Sequence, residues 1–520
     1  MKERLESFLL VLSVGAAVAI GAKRFAIPYN VALVVVGLLL VFVDVLPHAT
    51  MDPQVILVLF LPLLVFEGAL FADAGLLRRA SRPILALAIP GVLISLMGTA
   101  AVAAFALRLP FSAGMLLGAL LAITDTVSVL LAFRSVRVPQ RLAAIMEGES
   151  LFNDGTALVL VSITTTILGQ GEFDLTLTLR ALVVAMVGGA ALGVVFGMAG
   201  AALLRRTPDH LTAILASLVL VLGTAALAEE ANVSPVIAVV VAGLFVGTAA
   251  RRALEPSRVL ALFGFWETTG FVINVLLFLR VGMQLDPSML LAEAPSILLA
   301  VVALHAGRAI AVYGCCFALK VLARERISPR WQHAMVLGNI KGALSMAAVL
   351  ALPTTLPYRD RLIAIVFGTT FVTLVSQALP LKRWLTVLGV AESASDERLD
   401  TARAQLIAAR CGHTELDELL AAGLLSRQGH AERRATFQRQ IIRAERVLRA
   451  AEANHDHDGV VDASLLYAQK SALQDAARRG LIPTSVAEAE VEELDRGLLS
   501  LELSPHAVTV EPELPAKKGS

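Results

Sequence analysis

The sequence predicts an all-α polytopic membrane protein that continues into a helical, polar tail. Mean hydropathy is +0.75. Hydrophobic residues make up 57% of the 520 positions and charged residues 17%, against roughly 45–50% and about 25% in a soluble domain. The charge is also partitioned: residues 391–520 hold 38 Asp, Glu, Lys and Arg, and the first 390 hold 49. A soluble enzyme and a disordered protein are excluded by this composition. A nucleic-acid binder is excluded too, because the net charge of +1 offers no basic field. Three cysteines argue against a disulfide framework, and all three are read as reduced and structural.

About 20 apolar residues are needed to cross roughly 30 Å of hydrocarbon as a helix. Runs this long and uniform do not suit barrel strands, and in lipid the backbone must satisfy itself, so each run is read as a helix. About thirteen spans follow, near residues 5–22, 30–46, 53–72, 83–107, 112–133, 142–168, 176–204, 211–229, 233–250, 258–284, 289–319, 331–352 and 360–386. The first run lacks a small-residue cleavage site before Lys23-Arg24 and is read as a retained helix. With the tail in the cytoplasm, 19 Lys and Arg fall in inside loops, such as Arg78, Arg79 and Arg82, and 6 fall outside. That bias sets the N-terminus outside and the tail inside. The resulting domains are a transmembrane unit, 1–386, and a cytoplasmic helical tail, 387–520.

Ionisable residues inside spans are expensive and mark function. The third span carries Glu67, the fifth Thr124-Asp125-Thr126, and the sixth Glu147, Glu149, Ser150, Asn153 and Asp154. The tenth carries Glu267 and Arg280, the eleventh His305 and Arg308, and the twelfth Asn339 and Lys341. Glu67, Asp125 and Asp154 each lie about 13 residues into their span, roughly 20 Å at 1.5 Å per residue, and so reach mid-bilayer. Ser150 and Asp154 are i,i+4 and share a helix sector with Asn153. Carboxylate, hydroxyl and amide oxygens at one depth suit a hard monovalent cation. A buried carboxylate resists bare charge, so it holds a proton or a cation but not both. Competition of that kind is a physical basis for cation/proton exchange. The fifth and twelfth spans are expected to be interrupted, at Thr124-Asp125-Thr126 and at Gly338-Asn339-Ile340-Lys341-Gly342. They occupy corresponding places in two six-span repeats of inverted topology, spans 1–6 and 8–13, as substrate sites of secondary transporters do.

The chain resembles the sodium/proton antiporters of the monovalent cation:proton antiporter-1 family, both its prokaryotic and its eukaryotic exchanger types. The resemblance rests on Leu61-Pro62-Leu63-Leu64-Val65-Phe66-Glu67, Thr124-Asp125, Gly148-Glu149-Ser150-Leu151-Phe152-Asn153-Asp154, Phe265-Trp266-Glu267, Arg308 with Val312-Tyr313, and Lys341-Gly342-Ala343-Leu344-Ser345. It implies a homodimer with a dimerisation part and a mobile six-helix core. It implies Asp154 as the principal cation/proton carboxylate, with Asn153, Ser150, Glu67, Asp125 and the Thr124 carbonyl completing the site. The metal ligands for Na+ would be Asp154, Asp125 and Glu67. Glu149 is expected to pair with the basic residue of the twelfth span, Lys341, and Arg308 to compensate core charge. Members with Asn before this Asp are generally electroneutral. Two departures bear on ion preference: Thr126 stands where the family has proline, and Lys341 where it usually has arginine.

The expected activity is exchange of Na+ or Li+ for H+ by alternating access, for pH and sodium homeostasis in the cell membrane. The expected partners are these ions, membrane lipid and a second copy, without nucleic acid, and no cofactor is expected. A K+/H+ antiporter of the same fold is the first alternative, since both ions take oxygen ligands, and a gated cation channel the second. A membrane-embedded enzyme is disfavoured: the sequence shows no nucleophile elbow and no phosphate loop. His305 is read as a packing histidine and Arg280 as snorkelling outward. In the tail, 420–426 and 477–483 are alike and each is expected to end a helix at glycine. Asn454-x-Asp456-x-Asp458-Gly459 imitates a calcium loop but lacks its closing Glu, so calcium is rejected there.

Overall fold

The computed structural model describes residues 2–24, 28–43, 55–125, 128–129, 133, 136, 138–170, 174–207, 209–284, 287–390 and 394–452, with Val486, Glu490, Val491 and Leu494. Among these residues the structure is helical, with no strand. The chain divides into two compact units, Met1–Glu392 and Ser393–Ser520.

The first unit opens with α1 (Lys2–Arg24) and α2 (Tyr29–Val43). A π turn, Ile56–Phe60, runs into α3 (Leu61–Phe71), followed by the short α4 (Ala74–Arg79). Helix α5 (Ser81–Ala106) carries a second π turn at Leu87–Gly91. Pro90 lies within that turn, where the missing N–H is accommodated by the widened ring. Next come α6 (Phe111–Ala122), α7 (Gln140–Gln170), α8 (Leu175–Arg206), α9 (His210–Glu230), α10 (Pro235–Ala253) and α11 (Pro256–Met283). The short α12 (Pro287–Ala292) leads to α13 (Ala294–Leu322), α14 (Pro329–Leu337) and α15 (Ala343–Leu350). Helix α16 (Arg359–Ala378) ends in a third π turn, Leu374–Ala378, and α17 (Leu381–Val387) closes the unit. Eight helices are long and apolar enough to cross a membrane among the described residues. Residues 11–22, 29–40, 56–71 and 111–122 add shorter apolar helices. The chain is a multi-pass helical membrane protein.

Helix starts follow the side chains placed there. Asp73 accepts from the N–H groups of Gly75 and Leu76 at 2.7 and 3.1 Å, Asp174 from Thr176 and Leu177 at 2.7 and 3.2 Å, and Asp209 from Thr212 at 2.9 Å. These are N-caps, each satisfying orphan donors. Arginines close helix ends. Arg251 donates to the carbonyls of Leu70, Phe71 and Ala72 at 2.9, 2.6 and 3.1 Å, over the face of Phe263.

Packing sorts the helices into two groups. Helices α1, α2, α3, α9, α10 and α11 pack together, with α8 on α10. Helices α5, α6, α7, α13, α15 and α16 form the other group. Small residues let backbones touch within each. In the first group a Cβ on Gly37 would lie 2.4 Å from the Leu279 carbonyl oxygen, and one on Gly282 would lie 2.3 Å from that of Val34, so α2 and α11 are locked together. In the second, Gly118 lies against the backbone of Leu96, and Gly98 against Gly307. The groups meet where α7 passes α3 and α10.

In the second unit, α18 (Ala394–Ala421) and α19 (Arg427–Glu452) form a hairpin. Gly423, at φ +73°, takes the left-handed conformation after α18, and the Leu424 N–H reaches back to the Leu419 carbonyl at 3.0 Å, which is the expected glycine cap. His430 is buried and bonds Asp417 across the hairpin at 2.7 Å, and Arg410 pairs with Glu445 at 2.9 Å. The His430 hydrogen bond holds the Asp417 carboxyl below the usual carboxylate range, helped by the charges of His413 and Arg434. The similar stretch at 477–483 and the calcium-loop imitation at 454–459 lie outside the described residues. Cys315 and Cys316 are free and buried, and Cys411 is free and exposed.

The α2–α11 lock makes a measurable prediction. Gly37→Ala forces a methyl into a backbone oxygen, an overpacking cost of roughly 1–3 kcal/mol, and lowers the apparent melting temperature in detergent. Gly21→Ala, whose Cβ meets nothing within 4 Å, leaves it unchanged. Equal melting of the two variants would show that the close approach carries no stability.

Candidate cation and proton site

Two helices stop partway along the apolar stretches predicted as spans. Helix α6 ends at Ala122, and Ile123 turns to an extended conformation (φ −60°, ψ 133°). Residues 123–125 are not helical, and helix resumes by Ser128. Thr126, the expected proline departure, lies outside the described residues. Helix α14 ends at Leu337, and α15 begins at Ala343 after the extended Gly342. Both predicted interruptions are therefore present. The unwound segments touch: the Asp125 N–H donates to the Ile340 carbonyl at 2.8 Å. Gly342 permits this, since a Cβ there would lie 2.8 Å from that of Asp125.

Helix α7 serves the freed backbone. Asn153 donates to the Ala122 carbonyl at 3.0 Å, and Asp154 accepts from the Thr124 N–H at 3.1 Å, with the Thr124 hydroxyl 3.5 Å away. Ser345 donates to the Ile123 carbonyl at 3.3 Å. The Lys341 N–H donates to the Thr373 hydroxyl at 3.3 Å. The Asp125 carboxylate accepts from the Ser128 N–H at 3.4 Å and, by a short bond, from the Ser128 hydroxyl. Asn153 Oδ1 is buried and has no hydrogen-bond partner among the described residues.

A cavity of about 110 Å³ lies at this crossing. Glu67, Thr124, Asp125 and Asp154 line it, with Gly342 and Asn274. Four of the six predicted binding residues thus meet in one space. Ser150 and Asn153 do not line it; both are buried on α7 one turn and one residue before Asp154. Glu67, from the other helix group, is half-buried, and Gly270 on α11 lies so close that a Cβ would sit 2.8 Å from its carboxyl carbon. The three carboxylates share the cavity without closing into a ligand cluster: among the described residues no three His, Cys, Asp or Glu side chains do so. A bound cation here would therefore draw on carbonyl, hydroxyl and water oxygens as well.

The charge pairing differs from expectation. Glu149 pairs with Arg308, through two parallel bonds of 2.7 Å, and not with Lys341. Arg308 is on α13, which packs on α14, and its guanidinium also reaches the Met335 carbonyl near the end of α14, at 3.3 and 3.4 Å. A planar fork can serve carboxylate and helix end together, whereas an ammonium cannot. The Lys341 ammonium instead donates to Asn339 Oδ1 at 2.8 Å and is buried, at 1% exposure. His305 bonds the Val301 carbonyl at 2.7 Å and also bonds Gln377, in keeping with a packing role. Glu267 is exposed on α11. Asn274 escaped the sequence reading, although a lone amide in the apolar run Val272-Ile273-Asn274-Val275 was a usable signal.

Unwound helices that touch within apolar spans, beside a carboxylate cavity, are the arrangement of secondary transporters of the broken-helix class. Residues 9–387 match the family described as sodium/hydrogen exchanger, transmembrane. The chain belongs to that family. It is 38% identical over 512 residues to the Na(+)/H(+) antiporter NhaS2 of Synechocystis sp., covering 96% of this chain and 94% of that protein. It is 38% identical over 398 residues to the Na(+)/H(+) antiporter ApNhaP of Aphanothece halophytica, covering 75% and 76%. The fold is similar to that of the sodium proton antiporter MjNhaP1 from Methanocaldococcus jannaschii at pH 8, with a TM-score of 0.64 at 22% identity, over 74% of this chain and 98% of that one.

Removing either partner of a buried ion pair strands the other, at a cost of about 3–5 kcal/mol. Arg308→Ala and Glu149→Ala therefore each lower the thermal stability of the purified protein strongly. The double variant lowers it by less than the sum of the two. Additive losses would show that the pair is not coupled as its geometry indicates.

Proposed function

We propose that the protein exchanges Na+ for H+ across the membrane by alternating access, with Asp154 as the shared carboxylate. The observation that carries this is the convergence of Glu67, Thr124, Asp125 and Asp154 on one mid-chain cavity, at the contact of two unwound segments. The names of the relatives, Na(+)/H(+) antiporters, support sodium as the ion. Li+ is the further substrate of the same oxygen site.

Asp154 sits beside Asp125 and Lys341 in a water-poor interior. A bare carboxylate there is costly, so Asp154 leaves its resting state by taking a proton or a cation. The Thr124 carbonyl, Asp125 and water supply the remaining oxygens, with Glu67 from the facing group, while Asn153 ties α7 to the unwound segment through the Ala122 carbonyl. Glu149 and Arg308 neutralise each other and stay out of the exchange. Lys341 offsets the second carboxylate. Loaded with either ion, the site has the same net charge and crosses, whereas the empty site does not. One cation for one proton follows, without net charge transfer.

The finer architecture belongs to the same reading. It comprises about thirteen spans, inverted six-helix repeats, a dimerisation group built on α1, α2, α3, α9, α10 and α11, and a moving group carrying Asp154. The protein works as a homodimer in the cell membrane, N-terminus outside, with the tail as a cytoplasmic regulatory element. In that orientation the cavity, lined by the first half of α3, the second half of α11 and the start of α15, lies toward the outside.

Asp154→Asn abolishes sodium-driven proton movement in proteoliposomes while the purified variant remains monodisperse and cooperatively folded. Valinomycin clamping at symmetrical potassium leaves the wild-type rate unchanged. Full exchange by the variant would remove Asp154 from the site, and a response to potassium alone would reassign the ion.

A further inference from the structure

Asn30 lies on α2, in the group locked to α11 through Gly37 and Gly282, and has 0% exposure. Its Nδ2 donates to the Ser128 hydroxyl at 3.2 Å, across to the other group. Ser128 in turn donates its hydroxyl and its N–H to the Asp125 carboxylate. A hydroxyl has one proton. With that proton committed to Asp125, its oxygen is left to accept from Asn30. The amide thereby fixes the rotamer of Ser128, and Ser128 fixes the carboxylate. Neither Asn30 nor Ser128 lines the cavity, so neither touches an ion held there. A buried amide in the apolar stretch Tyr29-Asn30-Val31-Ala32-Leu33 costs free energy unless it is bonded, and its Oδ1 has no partner among the described residues. Packing alone gives no reason for an amide at this position.

We infer that Asn30 is a positioning residue for ion binding, acting through Ser128 to hold the Asp125 carboxylate in place for the cation. It rides on the helix group facing the one that carries Asp125, so the constraint is present in the arrangement seen here and is released when the two groups slide past each other. Cation affinity is thereby tied to which face of the membrane the site addresses. The inference rests on the proposed exchange site, and the test separates the two.

The experiment measures sodium-dependent proton exchange in proteoliposomes for the wild type, Asn30→Leu, Asn30→Ala, Ser128→Ala and the Asn30→Leu/Ser128→Ala double variant, with Asp154→Asn as control. Leu keeps the branched shape and heavy-atom count of Asn and removes the donor, and Ala removes the donor without added bulk, so a result shared by Leu and Ala reports the hydrogen bond and neither overpacking nor a cavity. The expected result is a sodium KM raised roughly five-fold, the size of one neutral hydrogen bond, in both Asn30 variants. The maximal rate stays within about a factor of two of the wild type. The double variant matches Ser128→Ala, because residues acting in series are not additive. An unchanged KM in the Asn30 variants, or effects of Asn30→Leu and Ser128→Ala that multiply, would overturn the inference and leave the exchange site standing. Retained exchange in Asp154→Asn would overturn the site and this inference with it.

Discussion

Backbone groups freed in mid-membrane must find partners, and that requirement organises the transmembrane unit. An unsatisfied amide or carbonyl in hydrocarbon costs several kcal/mol. Two helices nevertheless stop there, at Ala122 and at Leu337. Several of the residues singled out as functional are also part of the repair. Asn153 takes the Ala122 carbonyl, Asp154 the Thr124 amide, Ser345 the Ile123 carbonyl, and the Ile340 carbonyl takes the Asp125 amide. Arg308 attends the end of α14 while bound to Glu149. Ion binding and helix capping are thus one set of interactions. On the proposed mechanism, a cation or proton taken up at Asp154 enters a site whose acceptors and donors are already placed, so little reorganisation is needed.

The packing also divides the transmembrane unit into two bodies. Each helix group is knit by close backbone approaches at glycine, Gly37 against Leu279 in one and Gly118 against Leu96 in the other. Packed bodies of that kind move as units. The cavity lies where they meet, with Glu67 and Asn274 on one wall and Thr124, Asp125 and Asp154 on the other. In the proposed exchange, sliding one wall past the other changes which end of the cavity is open without rebuilding the crossing. The ion pair of Glu149 and Arg308, nearly out of reach of solvent at 3% and 7% side-chain exposure, lies within the group that carries Asp154.

Much of this was legible in the residues. Run length and hydropathy give the helical class, and poor helix formers at 124–125 and paired glycines at 338 and 342 mark the breaks at the positions observed. Depth arithmetic on Glu67, Asp125 and Asp154 anticipated a shared space, because helices of fixed rise place equal offsets at equal depth. What failed was partner choice. Glu149 could meet either of two cations on different helices, and only the three-dimensional fold, which brings the Arg308 guanidinium of α13 onto the Glu149 carboxylate of α7, makes that choice. The cross-group bond of Asn30 was equally hidden, since 98 residues separate it from Ser128. Asn274 was overlooked for a weaker reason: a neutral amide in an apolar helix drew less notice than the charges around it.

The central claim is that one carboxylate site holds either a sodium ion or a proton. It is tested most directly by titrating purified protein with sodium in weakly buffered detergent solution and measuring the protons released. The account predicts about one proton released per sodium bound, diminishing at high pH where the site is already empty, and absent in Asp154→Asn. Sodium binding without proton release near the site's working pH, or release that persists in Asp154→Asn, would contradict it.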